Sequence, residues 1–104
     1  LEKIKKRIAN AAEADFVIVL YNPSSKKRHD YLQRACDIIL KYADENRPCG
    51  LVKNIGREGE ESEVLTLKEL RDTKVDMFTT VYIGNSQSKI EGNRLVTPRG
   101  YKNV

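Results

Sequence analysis

Apolar residues recur along this chain at two kinds of spacing, and each kind predicts a different element. Intervals of three and four predict amphipathic helices, whereas short continuous apolar runs predict buried strands. Two stretches have the helical spacing, with apolar positions at Ile4, Ile8, Ala11 and Ala12 in the first and at Leu32, Ala35, Cys36, Ile39 and Tyr42 in the second. The chain is therefore expected to be helical from its first residues and again over about 26–44.

Three apolar runs predict the strands of a sheet. DFVIVLY (15–21) is rich in β-branched and aromatic residues, LVKNI (51–55) follows the helix-breaking NRPCG, and FTTVYIG (78–84) comes last. A strand on each side of the second helix makes a β-α-β unit. Its strands are expected to be parallel and buried on both faces, and its crossover is expected to be right-handed.

Shorter signals complete the predicted fold. GREGEESE begins as a loop that leads to a brief strand at 63–65, and Thr66 with Glu69 forms a capping box for a short helix. KIEGNRLVT (89–97) predicts a hairpin around its central Gly-Asn pair. The expected fold class is α/β, with a mixed, mostly parallel sheet of about five strands flanked by helices and the hairpin strands at one edge.

Each of the three strong strand predictions leads into an asparagine, at Asn22, Asn54 and Asn85. If the strands are parallel, all three residues lie at one end of the sheet, where open α/β sheets bind ligands. An asparagine side chain offers both a donor and an acceptor, which suits a nucleoside-like ligand. The same residues are ordinary turn formers after strands, so a ligand site and a set of plain turns both remain open.

Composition places the chain among ordinary globular domains. Its 104 residues suffice for one domain with one core, and no apolar run reaches the roughly 20 residues that a membrane span needs. Cys36 and Cys49 have no second ligand at metal spacing, so they are expected to be buried or half-buried thiols in a reducing cytoplasm. The net charge of +4 allows an anionic partner. Nucleic acid is not the expected one, because only 7% of residues are aromatic and no nucleic-acid-binding motif is present.

Few residues offer acid–base or metal chemistry. GREGEESE holds four acids in one loop, and a solvated loop is favoured over a metal site because neighbouring acids rarely converge on one ion. His29 is the only histidine and is expected at the surface. No Ser-His-Asp or Cys-His set can be assembled, and no phosphate-binding loop is complete. We therefore predict no catalytic acid or base and no metal ligand.

The stretch YNPSSKKRHDYL (21–32) places Lys26, Lys27 and Arg28 directly after two serines that are suited to cap a helix. Cations at a helix N-terminus oppose the macrodipole, and each costs about 0.3–1 kcal/mol at low salt. Two explanations stay open from the residues alone. Either solvent screens the charges, or an anionic ligand binds between the cations and the free N–H groups of the helix.

Four linked segments, VLYNPSSKKR, VKNIGREGE, VDMFTTVYIGNS and VTPRGY, carry a family resemblance. In order and spacing they resemble the C-terminal half of the precorrin-3B C(17)-methyltransferases and of their cobalt-factor III counterparts, within the tetrapyrrole methylase family. The resemblance implies that residues 1–104 are the C-terminal domain of a two-domain, usually dimeric enzyme of cobalamin biosynthesis. The N-terminal domain, with a Gly-rich loop ending in Asp, is then absent from this chain. Leu1 is not a start methionine, which also suggests a piece of a longer protein.

The resemblance also implies a chemistry and a site. S-adenosylmethionine is expected in the cleft between the two domains. Its methyl group goes to ring carbon 17 of precorrin-3B or cobalt-precorrin-3, with contraction of the macrocycle and with no metal from the protein. By motif position the expected cofactor contacts are Tyr21, Asn22, Pro23, Asn54, Ile55 and Gly56, and Thr79, Thr80 and TPRG (97–100) are vaguer matches. The acetate and propionate groups of the tetrapyrrole are expected to bind Lys26, Lys27, Arg28 and Arg99.

Two other functions fit the same residues. A binding module of another class would take a phosphorylated small molecule or RNA at the basic helix start, and a purely structural domain would leave the cations solvated. The sequence that precedes Leu1 discriminates between them. A strand followed by a Gly-Gly-Asp type of loop there is expected only for the methyltransferase.

Overall fold

The computed structural model of the chain describes residues 2–21, 30–56, 58–75 and 78–97. Within these ranges the chain forms three helices and six strands, which are α1 (Glu2–Glu13), β1 (Ile18–Tyr21), α2 (Tyr31–Ile39), β2 (Pro48–Lys53), β3 (Glu61–Thr66), α3 (Leu67–Arg71), β4 (Thr79–Ile83), β5 (Lys89–Glu91) and β6 (Arg94–Val96). Four strands form one sheet in the order β1-β4-β2-β3, and β5 pairs with β6 in a separate hairpin.

The four-stranded sheet is antiparallel, so the predicted mostly parallel sheet of five strands is wrong. β4 pairs antiparallel with both β1 and β2, and β2 pairs antiparallel with β3. β1 and β2 do run in the same direction, but β4 lies between them. The hairpin also forms its own sheet instead of extending the main one. An apolar run predicts that a strand is buried, but it does not predict which distant strand will pair with it.

One face of the sheet packs against the helices and forms the core. Along each strand the residues that point to this face alternate with residues that point away from it. The buried hydrophobic residues are Ile8, Ile18, Leu20, Leu32, Ala35, Cys36, Ile39, Cys49, Leu51, Leu65, Leu67, Leu70, Val81 and Ile83. The apolar stripe predicted for α2 is thus confirmed except at Tyr42, which is 46% exposed. Tyr42 follows the end of α2 at Ile39, so it is no longer on the helical face.

The other face of the sheet is only partly covered. On β1, Val19 and Tyr21 are 37% and 73% exposed, so this strand is not buried on both faces as its apolar run predicted. The hairpin lies over β2, where Gly50 leaves room for a side chain from above. Leu95 Cδ2 lies 3.6 Å from the point where a Cβ on Gly50 would be. We call the surface that carries Val19, Tyr21 and Tyr82 the open face.

Two local predictions are confirmed. The Thr66 Oγ1 atom accepts a hydrogen bond from Glu69 N at 3.2 Å, and Glu69 Oε1 accepts one from Thr66 N at 2.9 Å, which is the predicted capping box. The hairpin turns at Gly92, whose φ of 63° favours glycine. Signals that depend on a few neighbouring residues therefore predicted the turns and caps well.

The two cysteines are buried, as the sequence predicted, and both are free thiols. Burial raises the pKa of both the Cys36 and the Cys49 thiol to about 12. Both side chains are therefore neutral thiols near pH 7 and serve as small core residues. None of the described helices is both long and apolar enough to cross a lipid bilayer.

Candidate functional site

The antiparallel sheet sorts the predicted site residues between its two ends. β1 and β2 finish where β4 begins, since Tyr21 lies opposite Thr80 and Lys53 lies opposite Thr79. β4 finishes at the other end of the sheet. We call these the Tyr21 end, with Tyr21 and residues 54–56 and 78–80, and the Gly84 end, with residues 84–88.

The predicted row of three asparagines is wrong. Asn54 lies at the Tyr21 end and Asn85 lies at the Gly84 end, because β4 runs against β2 and finishes on the opposite side. Thr79 and Thr80 begin β4, so they lie beside Asn54 at the Tyr21 end. The sequence had predicted Asn85 at that position. Asn22 lies outside the described residues.

Backbone pairing fixes the Tyr21 end. Asn54 N donates a hydrogen bond to the Phe78 carbonyl oxygen at 3.0 Å, which joins the exit from β2 to the entry into β4. Thr80 lies between Tyr21 on one side and Val52 on the other, and the three share the open face. Thr79 points to the other face and is fully buried. Thr80, which is only 7% exposed, is therefore the threonine that lies beside Tyr21 on the open face, whereas Thr79 lies on the core face.

Exposed apolar side chains surround this end of the sheet. Tyr21 is 73% exposed, and Ile55 and Phe78 are each 47% exposed. Large apolar side chains are common on protein surfaces, but three at one end of the sheet offer a surface on which a flat ring can stack. Phe78 was not among the predicted site residues, and the sequence treated it only as the first residue of a strand.

The loop after β2 turns tightly. Asn54 and the two glycines Gly56 and Gly59 all have positive φ, at 56°, 73° and 85°. Asn54 Nδ2 donates to the Gly59 carbonyl oxygen at 3.3 Å, and Gly56 N donates to Glu60 Oε1 at 2.7 Å. Sequence reasoning missed this use of Glu60, which it counted only as one acid of a solvated loop. A carboxylate a few residues after a glycine turn was the available signal.

Polar side chains at the Gly84 end form hydrogen bonds with neighbouring residues of the protein. Ser88 Oγ accepts a hydrogen bond from Asn85 N at 2.8 Å and lies 2.6 Å from Thr97 Oγ1. Asp15 accepts from Ser86 N at 2.8 Å and from Ser86 Oγ, which ties the turn after α1 to this end. Thr97, the first residue of the vaguer TPRG match, is therefore at the Gly84 end and away from Tyr21.

Several predicted site residues lie outside the described residues, so their positions are not assigned. They are Asn22, Pro23, Lys26, Lys27, Arg28 and Arg99.

A depression of about 480 Å³ lies on the helical side of the molecule between the start of α2 and the end of α3. Arg71 lines it and binds Asp37 and Asp72. None of the described residues predicted for the site lines this depression. Within the described ranges, no three metal-ligating side chains lie close enough together to hold an ion.

Several known methyltransferases are similar to this chain in sequence or in structure. The cobalt-factor III methyltransferase of Priestia megaterium is 43% identical over 101 residues, which are 97% of this chain and 19% of that protein. A probable cobalt-factor III C(17)-methyltransferase of Salmonella typhimurium is 42% identical over 98 residues, which are 94% of this chain and 41% of that protein. The crystal structure of the methyltransferase CobJ matches with a TM-score of 0.81 at 28% identity, over 93% of this chain and 41% of that one.

The chain thus spans less than half the length of these relatives. No family model matches it. The matches to named methyltransferases nevertheless extend over almost every residue of the chain, in sequence and in structure. The chain is therefore a homologue of the cobalt-factor III methyltransferases, which confirms the resemblance that its four sequence motifs predicted.

Proposed function

We propose that the chain is one half of the site of an S-adenosylmethionine-dependent methyltransferase of cobalamin biosynthesis. The enzyme methylates precorrin-3B or cobalt-precorrin-3 at ring carbon 17, with contraction of the macrocycle. The observation that carries this proposal is the gathering of six motif residues, Tyr21, Asn54, Ile55, Gly56, Thr79 and Thr80, at one end of the sheet. These residues come from three separate stretches of sequence.

The residues at the Tyr21 end fit the adenosine part of the cofactor. The exposed side chains of Tyr21, Ile55 and Phe78 suit contact with a purine ring. Apart from its own atoms and its chain neighbours, no atom of the described residues lies within 4 Å of the point where a Cβ on Gly56 would stand, so a ligand can approach its backbone closely. When bound, S-adenosylmethionine supplies the methyl group from its sulfonium. The role of these residues is to hold it in place and exclude water, and methyl transfer depends mainly on such positioning.

The substrate carries a ring of carboxylates, and the basic segment after β1 is proposed to receive them. Lys26, Lys27 and Arg28 follow the Tyr21 end in sequence, and Arg99 follows β6. Replacement of Lys26, Lys27 and Arg28 by glutamine should raise the KM for the tetrapyrrole and weaken its dependence on salt, because the lost attraction is a screened one. The affinity for the cofactor should not change. A variant with wild-type KM and salt response would show that these cations are only solvated.

The other wall of the site is proposed to come from an N-terminal domain of the same protein, with this chain as the C-terminal domain. Clefts between domains bury most of a ligand only when both walls are present. The short coverage of the relatives is consistent with this division. A homodimer is also proposed, from the family resemblance alone.

Two measurements on the full-length protein test the proposal. Incubation with S-adenosylmethionine and either cobalt-factor III or precorrin-3B should give a product that carries one further methyl group by mass spectrometry. Calorimetry should show that Tyr21→Ser weakens cofactor binding about three- to tenfold, the size expected for a lost aromatic contact. Tyr42→Ser is the matched control, because Tyr42 is an exposed tyrosine beyond the end of α2. The proposal fails if neither tetrapyrrole is methylated.

A further inference from the structure

The loop between β2 and β3 turns through three residues with positive φ, and its two glycines can adopt other conformations equally readily. Asn54, Gly56 and Gly59 all have positive φ, and residues other than glycine generally avoid that region. Ile55 and Gly56, which are proposed to contact the cofactor, lie on this loop. Their position therefore depends on whatever holds the loop in one conformation.

Two side chains close the loop from within. Asn54 Nδ2 reaches across to the Gly59 carbonyl oxygen at 3.3 Å. Glu60 Oε1 accepts from Gly56 N at 2.7 Å, a short contact with a charged acceptor. Hydrogen bonds to an ionised acceptor are about twice as strong as those between neutral groups. The bond from Gly56 to Glu60 is thus the stronger of the two that fix the loop.

Glu60 connects the rigid sheet to the loop. It directly precedes β3, whose first residue, Glu61, pairs with Lys53 at the end of β2. Both ends of the loop are therefore held by the ladder between β2 and β3. The carboxylate then fixes the middle of the loop, at Gly56, to one of those ends.

We propose that Glu60 is a positioning residue of the cofactor site. Its carboxylate holds Gly56 and the neighbouring Ile55 in the conformation that receives the adenosine part of S-adenosylmethionine. Asn54 acts with it, and its side-chain NH₂ group is used inside the loop. This inference rests on the proposed function of the Tyr21 end, and it gives a role to an acid that the sequence assigned to a solvated loop.

Three variants of the full-length protein test the role of Glu60. Glu60→Ala removes the acceptor, whereas Glu60→Gln keeps an oxygen that can accept from Gly56 N. Glu58→Ala is the matched control, because Glu58 is an exposed acid of the same loop with no hydrogen bond to another described residue. Calorimetry measures the affinity for S-adenosylmethionine, and hydrogen exchange of the peptide over residues 54–61 measures the rigidity of the loop.

We expect Glu60→Ala to weaken cofactor binding about fivefold, the size of one ordinary net hydrogen bond, because the bond acts on the cofactor only through the loop. Exchange of the loop should become faster, while exchange in the core strands should not change. The KM for the cofactor should rise with little change in kcat, because a bond that aids only binding affects ground and transition states alike. Glu60→Gln should fall between wild type and Glu60→Ala, because a neutral oxygen accepts a weaker hydrogen bond, and Glu58→Ala should remain close to wild type.

The failures are distinguishable. If the wild-type protein does not bind S-adenosylmethionine, the proposed function is wrong and the role of Glu60 falls with it. If the wild type binds and Glu60→Ala binds equally well, only the role of Glu60 is wrong. Only the role of Glu60 is also wrong if Glu60→Gln binds the cofactor as weakly as Glu60→Ala does. The same conclusion follows if Glu60→Ala loses overall stability without losing cofactor affinity.

Discussion

Replacement of Gly84 by alanine should destabilise the protein through a steric clash at the Gly84 end of the sheet. A Cβ on Gly84 would lie 2.4 Å from Ser88 Oγ, 2.5 Å from Ser88 Cβ and 2.8 Å from the Pro48 carbonyl oxygen. The hydroxyl group can rotate away, but Ser88 Cβ and the carbonyl move only with the backbone. Gly84 does not have a positive φ, so the effect of alanine is steric and not conformational.

The expected magnitude follows from these contacts. Overpacking of a well-packed site costs about 1–3 kcal/mol. The Pro48 carbonyl oxygen also accepts a hydrogen bond from Gly84 N at 2.9 Å. Separation of the two strands weakens that bond, which adds about 1 kcal/mol. Gly84→Ala should therefore lower the free energy of unfolding by about 2–4 kcal/mol. At a slope of about 2 kcal/mol per molar, the urea midpoint should fall by about 1–2 M.

Gly50→Ala is the matched control for this experiment. Gly50 is also buried and lies on the neighbouring strand β2, but the nearest atoms to its Cβ position are 3.6 Å away, at ordinary contact distance. Alanine there should leave the urea midpoint unchanged or raise the free energy of unfolding by up to about 1 kcal/mol. The steric reasoning is refuted if Gly84→Ala unfolds at the wild-type midpoint, or if Gly50→Ala is destabilised as much as Gly84→Ala.

Three further predictions concern caps, pH and thiols. Thr66→Ala should lower the free energy of unfolding by about 1 kcal/mol in urea, and Thr66→Ser should restore most of it, because the hydroxyl group caps α3; equal loss in both variants would contradict this. Hydrogen bonds from Ser86 hold the pKa of the Asp15 carboxyl below its ordinary value of 3.8. The stability that the ionised carboxylate contributes to the fold is therefore complete above the unfolded-state pKa and is lost as the pH falls through the lower folded-state pKa. Asp15→Asn should thus be less stable than wild type at about pH 7, with a difference that shrinks below about pH 4; a constant difference in urea midpoint would rule this out. Cys36 and Cys49 should resist a thiol reagent at about pH 8 in the folded protein and react after unfolding, since burial raises their pKa to about 12; rapid labelling of the native protein would disprove it.

The sequence predicted best those features that depend on neighbouring residues. The capping box of Thr66 and the turn at Gly92 involve residues close in the chain, and both are present. The helical stripe of α2 was also correct until Tyr42, where the helix had already ended. Such signals act through local hydrogen bonds and backbone preferences, so they are visible in a short window of sequence.

Strand direction could not be predicted in the same way. The insertion of β4 between β1 and β2 depends on pairing between residues about 30 and about 60 positions apart, such as Val52 and Tyr21 with Thr80. The parallel assumption therefore placed Asn85 at the wrong end of the sheet. The family resemblance placed Thr79 and Thr80 in the site without any assumption about direction, and the antiparallel β4 brings both to the Tyr21 end.

The most direct test of the account is a crystal structure of the full-length protein bound to S-adenosylhomocysteine, the product form of the proposed cofactor. We predict that the adenosine part lies at the Tyr21 end, in contact with Tyr21, Ile55 and Thr80, with Glu60 still bound to Gly56 N. An adenosine bound at the Gly84 end, or on the helical side of the sheet, would contradict the account.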